Sequence, residues 1–442
     1  MISTKNLTGI LHLIILVCLF AVEVNAQNIK EIRNIEEAIS LALEKNSTLI
    51  EAKFDKMKAD EKVSEVYSEN LIPTLTLNSR YSRTFQKQVF DIFGEKYEVG
   101  SDNSITNTID MSLALPVLGT PVMNGIRIAE FYSRVQSENI LSVQADIKNN
   151  VKRAYYGVLL ARAVVEVNQL TLENTQANYD VVNSRYRSGV ATEFDFLRAK
   201  VKMDNVKPLL SQSERNYEIS KKLLSNAIGF KDVESIEVKG ELAYDSTEVW
   251  EDINTMITKI SEQNVAVRQL KLNREINKEL VSVDRSNYLP KLYIFGQYAL
   301  SSNENDTRSV SGYRFFNTSF AGLGLSWELN LFRKKYKVNQ SEIELKKNDE
   351  QILDLKQKLK LLSESAIIAL NDAKERIISQ KMTVELAERG LELANASYRA
   401  GTLNQIDVQD SELSLYNSRL SYYQAIYDYQ VAKAELEKLL EK

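Results

Sequence analysis

The residue types that most often carry chemistry are nearly missing from this sequence. It has one histidine, His12, and one cysteine, Cys18. Both fall within residues 1–26, which read as a removable secretory signal. Lys5 gives a positive start, Leu13 to Val22 is an unbroken apolar run, and Val24-Asn25-Ala26 ends on a small residue before Gln27. The run is too short to span a bilayer, which takes about 20 apolar residues. Lipid modification of Cys18 is the competing reading of the same segment. With cleavage before Gln27 the mature chain keeps no imidazole and no thiol. That removes His-based acid–base chemistry, Cys nucleophiles, thiolate zinc sites and disulfides. Carboxylate-only metal sites stay open. Gly322-Leu-Gly324 is only a fragment of a Gly-x-Gly-x-x-Gly fingerprint, and there is no Walker A loop. The expectation is a protein that is not an enzyme, with no cofactor and no metal.

The groups left to act are carboxylates, tyrosines and glycines, and they recur. Tyr186-Arg-Ser-Gly189-Val-Ala-Thr-Glu-Phe-Asp195 parallels Tyr398-Arg-Ala-Gly401-Thr-Leu-Asn-Gln-Ile-Asp407. The offset between them also aligns Thr171 with Thr383, Asn183 with Asn395 and Tyr217 with Tyr429. It aligns heptads as well: Val151, Val158, Val165 and Leu172 in one copy, Leu370, Ile377, Val384 and Leu391 in the other. Small or polar residues alternate with them, including Asn168 and Gln380, which makes a coiled-coil seam. Asn70-Leu-Ile-Pro73 resembles Asn287-Tyr-Leu-Pro290. The chain therefore reads as a first repeat at 27–228, an inter-repeat segment at 229–250 and a second repeat at 251–442.

Each repeat breaks its helices with two strands. Leu75, Leu77 and Tyr81 alternate with Thr74, Thr76, Asn78 and Arg80; Ile105, Ile109, Met111 and Leu113 alternate with Thr106, Thr108, Asp110 and Ser112. Leu292, Ile294 and Tyr298 match the first strand, and Leu323, Leu325 and Trp327 the second, with Gly322, Gly324 and Ser326 opposite. The strands are placed at about 71–82, 104–116, 289–300 and 316–329, with polar, charged or small residues on the inner face and polar connections at 83–104 and 301–315. Pro73 and Pro290 mark helix-to-strand junctions, and Pro116 and Pro121 the reverse. Residues 124–186 run unbroken, a rod of roughly 95 Å. Pro208 falls inside an expected helix, where it reads as a kink. The alternation alone fits a half-buried soluble sheet equally well. The secretory signal favours a membrane, which a chain without a later apolar helix enters only with strands. Four strands cannot close a barrel, so several copies must pool them.

Composition agrees with a folded protein: 44% hydrophobic, 26% charged, net charge −4. With 56 basic against 60 acidic residues there is no basic excess for a nucleic acid partner.

The duplicated order helix–strand–strand–long helix–turn–helix, the twofold Tyr-x-x-Gly-x-x-x-x-x-Asp and the stretch Asp407-Val-Gln-Asp410 resemble the TolC-like outer-membrane efflux protein family. The resemblance implies a mainly α fold with membrane β. A long α-helical coiled-coil barrel would join a twelve-stranded outer-membrane barrel to which each protomer of a homotrimer gives four strands. The segment 229–250, with the chain ends, would form an equatorial belt. Such channels sit in outer-membrane lipid, extend into the periplasm, and export small molecules or proteins with an inner-membrane pump and a periplasmic adaptor (membrane fusion protein). The resemblance further implies hairpin tips near 187–192 and 399–404. There Asp407 and Asp410 would face the pore as acidic rings. Tyr398 and Asp195 would join neighbouring coils in the closed state, and Gly189, Val190, Gly401 and Thr402 would receive the adaptor. Leu403 stands where the family pattern has a gate-locking arginine, and Arg198 stands in the first copy where the second has Asp410. The residues alone also allow a local reading: Thr402-x-x-Gln405 as a capping box, with Asp407 favoured by the helix dipole. The alternative protein class is a periplasmic coiled-coil adaptor or scaffold.

Overall fold

The computed structural model describes residues 30–115, 121–230, 236–245, 250 and 252–441. The expected signal segment, Cys18, Gln27 and Pro116 lie outside them. The elements run β1 (Lys30–Ile32), α1 (Ile35–Lys45), α2 (Ser47–Leu71), β2 (Thr74–Arg83), β3 (Gln88–Ile92), β4 (Glu95–Val99), β5 (Asn103–Ala114), α3 (Pro121–Arg187), α4 (Glu193–Ile228), β6 (Ile236–Val238), α5 (Ile253–Gln263), α6 (Val265–Ser286), β7 (Lys291–Glu304), β8 (Phe316–Ser326), α7 (Leu331–Arg399) and α8 (Gln405–Leu440). They form two compact units. One comprises Met1–Ile50, Gln144–Ile257 and Leu362–Lys442; the other Glu51–Val143 and Thr258–Leu361. Helices α3 and α7 supply residues to both. No described helix is long and apolar enough to cross a membrane.

The unit of Glu51–Val143 and Thr258–Leu361 holds a four-stranded antiparallel sheet in the order β2-β5-β7-β8. Pro73 and Pro290 stand directly before β2 and β7, where a missing N–H costs the ladder nothing. Register sorts the side chains cleanly. Leu77 pairs with Ile109, Ile109 with Tyr298, Ile294 with Leu323 and Leu292 with Leu325. From Leu75 and Met111 across to Leu323 and Leu325 this face is apolar, and it is open, with Leu77 73% and Leu323 69% exposed, while farther along the strands it carries Ser79, Asn107 and Asn317. The opposite face carries Thr76, Asn78, Thr108 and Asp110 on β2 and β5.

The inner face departs from the expected polar or small character on the other two strands. Tyr293, Phe295, Phe316 and Phe320 share it with Gln297 and Ala299. The reason is cross-strand: Tyr293 is paired with Gly324 and Phe295 with Gly322, so the rings lie over strand positions that have no side chain. Trp327 lies just beyond β8, and its indole N–H donates to the Tyr288 carbonyl at 3.0 Å.

The connection at 83–104 also differs from a plain polar loop, because it contains the β3–β4 hairpin. Phe90 pairs with Tyr97 and Asp91 with Lys96 around a two-residue turn, Phe93 (φ 56°) and Gly94 (φ 90°). Both central residues have positive φ, as a type I′ turn requires. The Asp91 carboxylate accepts from the Gly94 amide at 2.9 Å.

The second unit is helical, with one small parallel pair. β1 and β6 join Lys30–Ile32 to Ile236–Val238, burying Ile32, Ile236 and Val238. Side chains of the long helices hold this inter-repeat strand. Arg162 donates to the carbonyls of Val238 (3.1 Å) and Gly240, Tyr155 to that of Lys239 (2.8 Å), and Gln430 to that of Ala243 (3.0 Å). α4 runs continuously through Pro208 and ends at Gly229 in the left-handed region, φ 91°. The α1–α2 junction crosses there so closely that a Cβ on Gly229 would stand 2.7 Å from Asn46 Cα. Much of the heptad seam is buried, with Val151, Val158 and Val182 on α3 and Ala366, Leu370, Ala373, Ile377, Leu391 and Ala394 on α7, while Val165, Leu172 and Val384 are half-buried.

Candidate functional site

The two Tyr-x-x-Gly segments fold into the same turn. Gly189 (φ 69°) and Gly401 (φ 81°) take the left-handed conformation that closes a helix. The Gly189 amide donates to the Tyr186 carbonyl (3.0 Å), and the Val190 amide to that of Arg185 (2.9 Å). In the second copy the Gly401 amide donates to Tyr398 (3.1 Å) and Thr402 to Ser397 (3.0 Å). This is the Schellman pattern, present twice. It puts Ser188 to Thr192 and Ala400 to Asn404 at the ends of two helical hairpins, α3–α4 and α7–α8. Val190 is exposed at its tip, and so are Gly189, Gly401 and Thr402.

Each following helix begins with an aspartate three residues after its cap. Thr192 and Asp195 form a complete capping box: the Thr192 hydroxyl accepts from the Asp195 amide (3.1 Å), and Asp195 accepts from the Thr192 amide (3.3 Å). At the second tip the cap is Asn404, whose amide donates to the Asp407 carboxylate at 3.0 Å. The expected box of Thr402 and Gln405 is not formed. The Thr402 amide and hydroxyl both donate to the Ser397 carbonyl, which ties Thr402 to the end of the preceding helix. Asp407 and Asp410 lie one turn apart on α8, the first half-buried and the second exposed.

Tyr398 points into the protomer. It is buried in a cluster with Val182, Ala199, Leu391, Ala394, Val408 and Leu415. The Arg185 guanidinium lies 4.6 Å from its ring centre and donates to the carbonyls of Tyr398 (3.2 Å) and Arg399 (3.0 Å). A cation on the last carbonyls of α7 favours that helix end through its dipole as well as its bonds. Phe196 packs against the cluster and stacks on Tyr186, with ring centres 5.1 Å apart.

Beside this cluster runs a polar network that sequence reading did not single out. The Asn178 amide donates to Glu412 Oε1 at 3.0 Å and accepts from Gln405 at 2.9 Å. The Lys202 ammonium lies 2.8 Å from Glu412 Oε2 and donates to the Gln409 carbonyl at 3.0 Å. Glu412 is 6% exposed at its side chain, whereas Lys202 keeps 26%. The ammonium approaches Oε2 at ion-pair distance without hydrogen-bond alignment. The signal was present in the sequence: Gln405 and Glu412 are polar at the spacing where Val408 and Leu415 are apolar. The network crosses from one hairpin to the other, so it fixes their relative position.

The family profile described as Outer membrane efflux protein matches residues 38–230 and 256–441. The outer membrane protein TolC of Escherichia coli strain K12 is 20% identical over 423 residues, spanning 93% of this chain and 83% of that protein. A crystal structure of a membrane protein from Pseudomonas aeruginosa aligns with a TM-score of 0.77 at 15% identity, over 92% of this chain and 90% of that one. The outer membrane protein VceC of Vibrio cholerae aligns at 0.75 and 14% identity, over 92% and 96%.

Proposed function

The chain belongs to the outer membrane efflux protein family, and we propose that three copies of it assemble into one conduit that works with a periplasmic adaptor and an inner-membrane pump. It is an outer-membrane export channel extending into the periplasm, with the TolC-like helical and β fold, and not itself an adaptor. Its function is conduction; with the signal removed before Gln27, the mature chain offers no imidazole or thiol for catalysis.

The observation that carries the trimer is the sheet. Among the described residues of one chain β2 and β8 are the edge strands of the sheet, with no strand paired to their outer sides, and its apolar side chains are exposed. In hydrocarbon every such group must be paired, so the strands must close on themselves. Three four-stranded sheets give a twelve-stranded barrel, an even number in the usual range for such barrels. The apolar face then meets outer-membrane lipid and the Asp110 face lines the conduit. The repeats at 27–228 and 251–442, with 229–250 as an equatorial segment, supply the strands and the helical hairpins. At the tips, Asp407 and Asp410 form rings of carboxylates that favour cations. Tyr398 and Asp195 shape the gate from within each protomer, by packing and by capping. Gly189, Val190, Gly401 and Thr402 present the small surface that an adaptor meets.

The test uses the absence of cysteine from the mature chain. Single cysteines introduced on β2 and on β8 of the same chain should yield disulfide-linked trimers in detergent extracts. A water-soluble monomer that gives no conductance in planar bilayers would refute the proposal.

A further inference from the structure

The inner face of the sheet carries one carboxylate, Asp110, at the middle of three strands. Register places it opposite Thr76 on β2 and Gln297 on β7. Its Oδ2 accepts from the Asn78 amide and the Thr108 hydroxyl, each at 2.9 Å, and its Oδ1 accepts from the Gln297 amide. All three donors are neutral. They fix the carboxylate in place and leave its charge uncancelled. The basic residues on this face of the four strands are Arg80, opposite Thr106, and Lys291, opposite Ser326. Arg80 is four pairs along from Asp110, about 13 Å at the usual strand rise, and Lys291 is farther still. The row at Asp110 therefore presents negative charge.

Next to that row is an aromatic pad. Phe320 is opposite Gln297, the residue that holds Asp110. Phe295 and Phe320 have ring centres 6.2 Å apart, and Tyr293 and Phe295 5.8 Å. β8 is shaped to receive them: a Cβ on Gly324 would collide with the Tyr293 ring, and one on Gly322 would meet the Phe295 ring at 3.0 Å. Phe320 remains half exposed. Carboxylate and rings thus occupy contiguous positions of one face, yet they do not satisfy each other.

We propose that Asp110 together with the Tyr293–Phe295–Phe320 pad is a binding station for organic cations on the wall of the β-barrel. The proposal rests on the channel reading, in which this face lines the conduit. A small inorganic cation feels only the carboxylate. A cation carrying apolar surface is also held by the ring faces, through their quadrupoles and by removing its surface from water. Recognition is by charge and apolar area, with no directional contact that would select one molecule.

The test is block of single channels by tetraphenylphosphonium, read beside the reversal potential in a potassium chloride gradient. Asp110→Asn should weaken the block about fivefold or more and move the reversal potential toward zero. Phe320→Leu should weaken the block more than it moves the reversal potential. Gln297→Glu, which adds a second carboxylate to the same row, should strengthen both. A merely structural role for Asp110, as a pin of strand register, predicts lowered trimer yield and unchanged block in the channels that do form. If Asp110→Asn does not assemble, the other two variants decide, and unchanged block in both overturns the proposal. A wild-type protein that forms no channel overturns the channel reading instead.

Discussion

Replacing Lys202 with methionine asks what the buried Glu412 is worth to the hairpin tips. The carboxylate would keep its bond from Asn178 and lose its ion-pair partner. Stranding a fully buried charge costs about 3–5 kcal/mol. Lys202 is a quarter exposed, so water reaches this side of the pair, and about 2 kcal/mol is the better figure. Glu412→Gln has a smaller effect. The lysine can turn to solvent while still bonding the Gln409 carbonyl, so the loss is about 1 kcal/mol, one ordinary hydrogen-bonding difference. The double variant removes both charges together and should also lose about 1 kcal/mol, which leaves a coupling near 2 kcal/mol. Amide hydrogen exchange of the tip segments, 175–190 and 405–416, reports this as local opening. Exchange should quicken about 30-fold in Lys202→Met and about fivefold in the double variant, since about 1.4 kcal/mol is a factor of ten. A double variant that exchanges as fast as Lys202→Met, or faster, would refute the claim that the pair acts as a unit.

Other consequences can be checked separately. Asp407→Asn with Asp410→Asn should lower cation preference in bilayer recordings, because Asn keeps an acceptor for the Asn404 amide while removing charge. Asp407→Ala should in addition destabilise the second tip by about 1 kcal/mol, seen as faster exchange at the start of α8. Gly229→Ala should lower the thermal midpoint by several degrees, since the added Cβ meets Asn46 Cα at 2.7 Å and the φ of 91° is strained for alanine. The Lys356 ammonium, bonded to Glu262 at 2.7 Å, holds that carboxyl below its ordinary value. A lowered folded pKa gives stability that is present above about pH 4.5 and lost as pH falls through the folded value. The pair is half exposed, so the loss should stay under about 1 kcal/mol. Acid titration of thermal stability should show this increment in the wild type and not in Lys356→Met.

The duplicated helices and the strand alternation were legible because each is a local, periodic signal. Val151, Val158, Leu370 and Ile377 lie in one sequence period, and burial in a seam is what that period means. Leu75, Leu77, Ile105 and Ile109 likewise declare a face without reference to their partners. The features that escaped depend on partners far along the chain. Tyr293 and Phe295 break the expected polar or small inner face, and only the register that sets them over Gly324 and Gly322 accounts for them. Arg185 acts on carbonyls of the other repeat, and nothing beside it in sequence announces them. The capping box was misplaced by two residues for a different reason. Thr402 and Asn404 are both good caps, and only the Schellman bond from Thr402 to Ser397 assigns the threonine to the earlier helix. The β3–β4 hairpin turns on Phe-Gly, where asparagine or aspartate would be the usual first residue.

Duplication explains why the two tips share a fold, and the differences between them bear on how copies assemble. The offset that aligns Tyr186 with Tyr398 also aligns Arg198, Lys200 and Lys202 with Asp410, Glu412 and Ser414, and Arg185 with Ser397. At these positions the first hairpin carries cations and the second anions or hydroxyls. Within one chain the contacts exploit that difference: Lys202 meets Glu412, and Arg185 meets the carbonyl end of α7. Two first-type hairpins side by side would bring like charges together, and so would two second-type hairpins. In a ring of three copies, every hairpin then has the other type on both sides. In the proposed assembly six similar hairpins would thus carry an alternating pattern that admits threefold symmetry and forbids sixfold. Exchanging the charges at one site only, as Arg198→Asp, should weaken trimer assembly, read as loss of the heat-resistant trimer on gels. Restoring the pattern with Asp410→Arg in the same chain should recover it, and failure to recover would refute a contact between these positions across copies and leave Asp410 to the pore ring alone.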